Sequence, residues 1–525
     1  MHWIRTIDDW NLSRRELLAA LGLGTGTALL PRARSGAQSP EASPAGSPPA
    51  RAESLTIDIS VEPSTLDPAV TYDPNGWSIV HSVYDSLLQY DNEGNLELLL
   101  AESWEWSSPT TIAVSLRPNV TFHNGEALTS KAVQFSLGHI TAEKTASQVS
   151  ANFKVIESFN EIDDLTFELV LSQPAPWLPS FMTGYLAILP PDYAASNDFA
   201  RHPVGTGPYK FGSWSPGESI ELEVNDGYFA GSPKGVPIAD AVTYRFVPDA
   251  TTRVADLLSG SAQLVTGVPV DQAQAVEDGN QQVVIQQVSG SAFVRAPNTI
   301  EPFIDPQVRA ALNFAVDVQS IVDALLDGNG GRLANLFVST SVGYDANLSA
   351  YAYDVDQAKS LLSTAGYAGG FSTTMDVSAT ERLDVAQAVA AQLGDAGIDV
   401  EVMQKELAVF NAPEQWTGEA ADAAALRLIS WRPLFDPYTL LSLMFSNTGF
   451  LSRFDDPTVQ GLIDAFSTES DPDKRAEIGR ELGKEMHDNP AAIYLYDLTA
   501  IYGVAEGTPP WSPRADEYVI ACYRG

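Results

Sequence analysis

Residues 116–125 read Leu116-Arg117-Pro118-Asn119-Val120-Thr121-Phe122-His123-Asn124-Gly125. They follow the strand-like run Thr111–Leu116, and Pro118 closes that run because proline cannot donate to a sheet ladder. Asn124-Gly125 is a turn pair, so His123 is read as a structural turn histidine rather than a metal ligand or base. Arg117 is expected to hold a nearby carboxylate or carbonyl. Working back, Ile79–Leu88 has helical spacing, Pro63–Pro68 turns, and Ser54–Ser60 alternates as a half-buried strand does. Trp104 and Trp106 lie two apart, on one side of an extended segment, and are expected in a core. Working forward, Thr166–Leu171 and Ile220–Val224 read as strands.

From about residue 300 the texture becomes helical. Asp305-Pro306, Asp456-Pro457 and Asp471-Pro472 are predicted helix starts. The Asp carboxylate accepts free N–H groups of the first turn, and Pro at the first helical position loses nothing. Asp354 caps similarly, with Gln357 placed for a capping box and Gly366 at the stop. Leu383, Ala386, Val389, Ala390 and Leu393 share one helical face. Helix, Gly-rich turn and strand alternate through 354–404, the pattern of an α/β lobe. There is no internal repeat of 20–50 residues.

The chain has 525 residues, 44% apolar and 18% charged, enough for two or three packed lobes. Its net charge of −37 excludes bulk electrostatic binding to nucleic acid or to anionic lipid. Ser13-Arg14-Arg15-Glu16-Leu17-Leu18 opens an apolar run to Leu30, too short and Gly-rich for a membrane span. Charged start, apolar middle and small-residue exit are the layout of an export signal, and the paired arginines resemble a twin-arginine signal. Cleavage after Ser35-Gly36-Ala37 would leave Gln38 first. Residues 38–52, nearly all Pro, Ser, Ala and Gly, read as a tether. No cysteine follows the apolar run that ends at Leu30, the single cysteine being Cys522, so a lipid anchor of the usual bacterial type is not expected.

Motifs of catalysis are missing. There is no G-x-S-x-G, no H-E-x-x-H and no G-x-x-x-x-G-K-[ST], and the six histidines show no metal spacing. Val204-Gly205-Thr206-Gly207-Pro208-Tyr209 looks like a phosphate loop but lacks the Lys, and Pro208 removes a donor; it is read as a tight turn into a strand. No cofactor is expected. The many carboxylates leave a glycosidase-type pair possible by count, but most are read as solvated surface.

One family orders these segments. Ser64-Thr65-Leu66-Asp67-Pro68, Val83-Tyr84-Asp85-Ser86-Leu87-Leu88, Leu100-Ala101-Glu102-Ser103-Trp104-Glu105, the 116–125 segment, Gly205-Thr206-Gly207-Pro208-Tyr209, Val308–Asp317 and Tyr353–Tyr367 follow one another. In that order they resemble the extracellular solute-binding proteins of ABC importers, family 5, the peptide/nickel-binding type. The resemblance implies an α/β, two-lobed periplasmic-binding-protein type II fold (cluster C) with an extra domain on the first lobe. It implies lobe I over 53–88, 205–290 and a C-terminal return at 498–525, the extra domain over 89–204, and lobe II over 291–497. Residues 1–37 are the signal and 38–52 the linker. It further implies a periplasmic or extracellular monomer that captures a peptide or other small solute between its lobes and delivers it to ABC transporter permease subunits.

Two segments are candidate walls of the solute cleft. In Tyr72-Asp73-Pro74-Asn75-Gly76-Trp77, Tyr72 and Trp77 offer rings around Asp73 and Asn75. In Ser430-Trp431-Arg432-Pro433-Leu434-Phe435-Asp436-Pro437, Trp431 and the Asp-Pro match peptide-binding relatives. The acid that follows the Trp there and pairs with the peptide amine is replaced by Arg432. That departure favours an anionic or carboxylate-bearing solute. Asp436 is expected chiefly as a helix N-cap, with amine binding as its alternative. Arg295 is a further candidate anion partner and Phe410 a further aromatic one. The rival functions are a secreted hydrolase and a scavenger of metal chelates or haem.

Overall fold

The computed structural model describes residues 50–194, 198–432 and 435–524. The expected export signal, almost all of the tether, and Pro433 and Leu434 lie outside the described residues. The tether was expected to run through Ala52, but Ala52 already pairs with Ala239 in a strand.

Ten strands form one mixed sheet. Its order is Ile398–Lys405, Phe371–Ser378, Leu426–Trp431, Gln282–Arg295, Ala492–Val504, Leu264–Thr266, Ala52–Ile59, Ala239–Phe246, Ser219–Val224 and Tyr209–Ser215. The two long central strands, Gln282–Arg295 and Ala492–Val504, are antiparallel and belong to both halves. Gln282–Gln287 pair with Thr499–Val504 in one half, and Ser291–Arg295 pair with Ala492–Asp497 in the other. The register breaks between Gln287 and Ser291. Gly290 lies in that break, where a Cβ would come 2.8 Å from the Trp431 carbonyl oxygen, so only glycine fits the approach.

Each half has its own core, built from inward faces of its strands and covering helices. Leu55, Ile57, Ile220, Leu222, Val242 and Leu264 pack in the first. Val294, Leu312, Met375, Val389 and Leu426 pack in the second. A separate four-stranded antiparallel sheet runs in the order Ala101–Ser108, Thr111–Leu116, Thr166–Leu171, Ile156–Glu161. Thr111–Leu116 buries alternate residues, so Ile112, Val114 and Leu116 enter its core. Trp104 and Trp106 are half-buried against the same core.

The predicted Asp caps form. Asp305 accepts the Gln307 N–H at 2.8 Å, Asp456 that of Thr458 at 2.9 Å, and Asp471 that of Asp473 at 3.0 Å. Asp354 accepts the Gln357 N–H at 2.8 Å, and Gly366 takes φ +92° past the end of that helix. One helix is displaced from its predicted place: it spans Pro74–Val83 rather than 79–88. Asp73 caps it through the Gly76 N–H at 2.7 Å with Pro74 in the first turn, so capping set the start, while Leu88–Tyr90 pairs as a strand.

The 116–125 segment and the Gly205–Tyr209 turn meet each other. The His123 N–H donates to Gly205 O at 2.8 Å, and its ring Nε2 lies 3.0 Å from Gly207 O. The Gly207 N–H donates to Val83 O at 2.9 Å, and the Thr206 hydroxyl to Asp85 at 2.9 Å. A Cβ on Gly205 would lie 2.2 Å from Val83 O. Burial pulls the His123 imidazole down to about 4, so it is the neutral ring that joins the two loops. The Gly207 amide is thus committed to a protein carbonyl, as a structural turn requires and a phosphate loop does not. Arg117 donates to the carbonyls of Leu99 at 2.6 Å and Leu98 at 3.0 Å.

Candidate functional site

Two adjoining cavities, open to solvent, lie between the halves of the sheet and share Trp431 and Arg432 as wall. Three elements of the first half build one side. Helix Pro74–Val83 supplies Trp77 and His81; helix Leu178–Tyr185 supplies Phe181 and Tyr185; the C-terminal segment supplies Arg514, Asp516 and Tyr518. Strand Leu426–Trp431 and the turn after it build the other side. Trp77 is fixed by its indole N–H donating to Thr71 O at 2.8 Å, and its ring stands 5.9 Å from Tyr185 and 5.8 Å from Tyr518. The wall is therefore aromatic, with rigid rings that offer contact area at low entropic cost.

The two sides touch. Tyr90 stacks on Phe435 at 4.4 Å, and Trp177 on Tyr438 at 4.7 Å. Arg432 forms an ion pair with Glu517 from across the cleft. Burial works against the Arg432 charge, but Glu517 and Glu381 outweigh it and hold the guanidinium above its ordinary value. Burial raises the Glu381 carboxyl, partly offset by the Ser430 hydroxyl, which donates to it at 2.7 Å. Asp436 makes two bonds to Arg475, at 2.7 and 3.0 Å, both residues buried. At the floor, Lys234 Nζ meets Asp85 at 2.7 Å and the His81 and Tyr84 carbonyls at 2.6 Å each. Arg514 donates to Asp516 at 2.9 Å. The charges of the cleft are thus paired internally.

Of the residues selected from sequence, Tyr72, Trp77, Trp431, Arg432 and Asp436 line the cavities. Tyr72 is anchored by its hydroxyl, which donates to Ala69 O at 3.0 Å and accepts the Gln148 N–H at 2.7 Å. Asp436 accepts the Tyr438 N–H at 3.0 Å, but the N-cap of that helix is Pro437, one residue later than expected, and Arg475 pairs with Asp436 so that it is not free for an amine. Four expectations are corrected. Asp73 is the helix cap described above, its carboxyl raised by burial, and Asn75 reaches Ser60 Oγ at 3.4 Å; neither lines either of these two cavities. Arg295 is 1% exposed and donates to Leu451 O at 2.7 Å, inside the second half. Its cross-strand partner is Arg427, which lies between the rings of Phe410 at 4.0 Å and Trp416 at 4.2 Å. Phe410 therefore serves that buried cation rather than the cleft.

His81, Lys234, Arg514, Glu517 and Tyr518 are wall or cross-cleft residues that sequence reasoning missed. The C-terminal segment reaches the site from far along the chain: the Val519 N–H donates to Ser78 Oγ, 441 positions away. Arg514-Ala515-Asp516 carried a faint signal as an opposite-charge pair in an otherwise apolar segment.

A model of the bacterial extracellular solute-binding proteins, family 5, matches residues 95–452. The chain belongs to this family. Among its relatives is the glutathione-binding protein GsiB of Pectobacterium atrosepticum, 28% identical over 396 residues, which span 73% of this chain and 76% of that one. Among solved structures, the ABC transporter-associated periplasmic binding protein DppA of Helicobacter pylori, in complex with the peptide STSA, matches with TM-score 0.76 and 23% identity. That match covers 90% of this chain and 98% of DppA. The protein AgaA of Agrobacterium tumefaciens R10, in complex with agropinic acid, matches with TM-score 0.73 and 25% identity over 86% and 94% of the two chains. The fold is thus the two-lobed type II periplasmic-binding fold of family 5. The chain is an extracellular solute receptor of a family that serves ABC importers, which sets this reading above the hydrolase alternative.

Proposed function

We propose that this family 5 receptor captures a small carboxylate-bearing solute of peptide-like size in the cleft and presents it to ABC importer permease subunits. One observation carries the choice of solute: Glu517 brings a carboxylate onto Arg432 in the cleft. A solute carboxylate has the same charge and shape and takes the same guanidinium. Tyr72, Trp77 and Trp431 hold the body of the solute by ring contact. Asp436 and Asp85 are both paired, so neither waits for a peptide amine. The likeness to a glutathione-binding relative and to an agropinic acid complex fits a solute of this kind.

The lobes close about the register break in the central strands, because only the closed state lets the solute touch both walls. The receptor binds without turnover and works as a monomer, exported by the twin-arginine signal. The test is thermal stabilisation by glutathione, agropinic acid and short peptides, each beside its carboxyl ester. Binding of one ligand at a hundred times its dissociation constant adds about 2.7 kcal/mol. Acids are expected to stabilise and their esters not. Equal stabilisation by acid and ester, or an acid panel without a binder, would overturn the carboxylate reading.

A further inference from the structure

Of the two cavities, the one that Tyr72 and Trp77 line leaves the more space. One of its walls is a group of rings: the centre of Tyr185 stands 6.0 Å from that of Tyr72, 5.9 Å from that of Trp77 and 5.9 Å from that of Phe181. Across from the rings, Leu443 and Phe450 join Trp431. Among the described residues that line this cavity, Arg432 alone carries a charge, and none is an acid. The adjoining cavity differs, because Lys234, Asp436, Arg514 and Asp516 line it, each already in an ion pair.

Phe450 is 62% exposed. A single exposed ring is ordinary on a protein surface. This one lines a cavity and sits on a pinned loop. The Gly449 N–H donates to Ser446 O at 3.0 Å, the Leu451 N–H to Leu443 O at 3.1 Å and the Ser452 N–H to Gly449 O at 2.9 Å. A Cβ on Gly449 would stand 2.4 Å from Leu443 O, so only glycine lets the loop close on helix Tyr438–Met444. Phe450 is therefore held in place before any solute arrives, and an apolar group entering the cavity removes its surface from water without first paying to order the loop.

We propose that this cavity is a subsite for an uncharged apolar group of the solute, an aromatic ring or alkyl chain, with Phe450 as a specificity-determining residue. The solute is then an amphipathic acid. Its carboxylate takes Arg432, which faces both cavities, and its apolar group lies against Tyr185 and Phe450. A cationic side chain is refused, because it would lose its hydration beside Arg432 with no acid in the wall to pair with it. The inference rests on the carboxylate reading and deepens it by naming the group attached to the acid.

The experiment is isothermal titration of the full chain with N-acetylated amino acids. N-acetylphenylalanine is expected to bind about tenfold or more tighter than N-acetylglycine, from the apolar area it buries. N-acetylnorleucine is expected to outbind Nα-acetyllysine, which has a chain of similar length ending in an ammonium, by a similar factor. Phe450→Ala is expected to reduce the preference for the phenylalanine over the glycine compound about threefold or more, and Phe450→Leu to keep most of it. Equal affinity for N-acetylglycine and N-acetylphenylalanine, a lysine compound as tight as the norleucine one, or a preference untouched by Phe450→Ala would overturn the subsite. The methyl ester of N-acetylphenylalanine separates the two readings. An ester that binds as the acid does overturns the carboxylate reading and leaves the apolar preference standing; acids that bind without apolar preference do the reverse. A series in which nothing binds overturns both.

Discussion

Arg432 and Glu517 form an ion pair that spans the cleft, one from the end of strand Leu426–Trp431 and the other from the C-terminal segment. Glu517 holds a left-handed backbone, φ +64°, which a side chain adopts at a cost. Replacing Arg432 with Ala is expected to weaken a carboxylate solute by about 2 kcal/mol, roughly thirtyfold. Glu517→Gln removes the internal competitor while leaving the guanidinium, so the same solute is expected to bind more tightly. Isothermal titration of both variants checks the pair of opposite signs.

Asp436→Ala is expected to cost about 3–5 kcal/mol of stability, because it leaves Arg475 as a buried charge without its partner. Urea unfolding measures this. An amine-binding Asp436 would instead lose ligand affinity with the unfolding midpoint unchanged.

Acid is expected to destabilise the fold through His123. Its folded value is about 4 against 6.5 unfolded, so between those values the unfolded chain binds the proton and the folded chain does not. Stability present above pH 6.5 is lost as pH falls, by up to about 3 kcal/mol for a shift of this size. His81 acts in the same sense, and Glu381, raised by burial, in the opposite one. Comparing His123→Gln with the parent across pH 4 to 7 isolates the His123 part: the slope of unfolding free energy against pH should flatten.

Gly205→Ala is expected to destabilise by more than about 3 kcal/mol, since the new Cβ would stand 2.2 Å from a backbone oxygen that cannot yield as a flexible side chain would. Thermal unfolding checks it, with Gly125→Ala as the contrast. That site has φ +90° but open space around its Cβ, so only the backbone cost of about 1 kcal/mol is expected.

Changing Arg14 and Arg15 together to Lys is expected to abolish export through the twin-arginine route. Cell fractionation reads the outcome as precursor retained in the cytoplasm; undiminished export would sink that assignment.

Much of the fold was legible because it is decided within a few residues. The alternation of Thr111–Leu116 became alternately buried side chains, and the Asp-Pro pairs at 305, 456 and 471 became capped helix starts, since period and capping act over one turn or one pleat. Helix Pro74–Val83 was misplaced where an apolar spacing competed with a cap, and the cap prevailed. Arg295 was misread because a strand shows which residues share a face but not which face meets the cleft. Its neighbour Arg427 and the carbonyl of Leu451 settled that from far along the chain.

The sequence by itself determined the local elements, the turn character of His123 and Gly205, and the order of segments that marks the family, because each depends on neighbours in the chain. Only the tertiary structure decided the site. Arg475 claims Asp436, Glu517 claims Arg432, and Tyr518 stacks on His81. A side chain's charge partner and its access to the cleft depend on which distant segments fold against it, and no local pattern of residues carries that information.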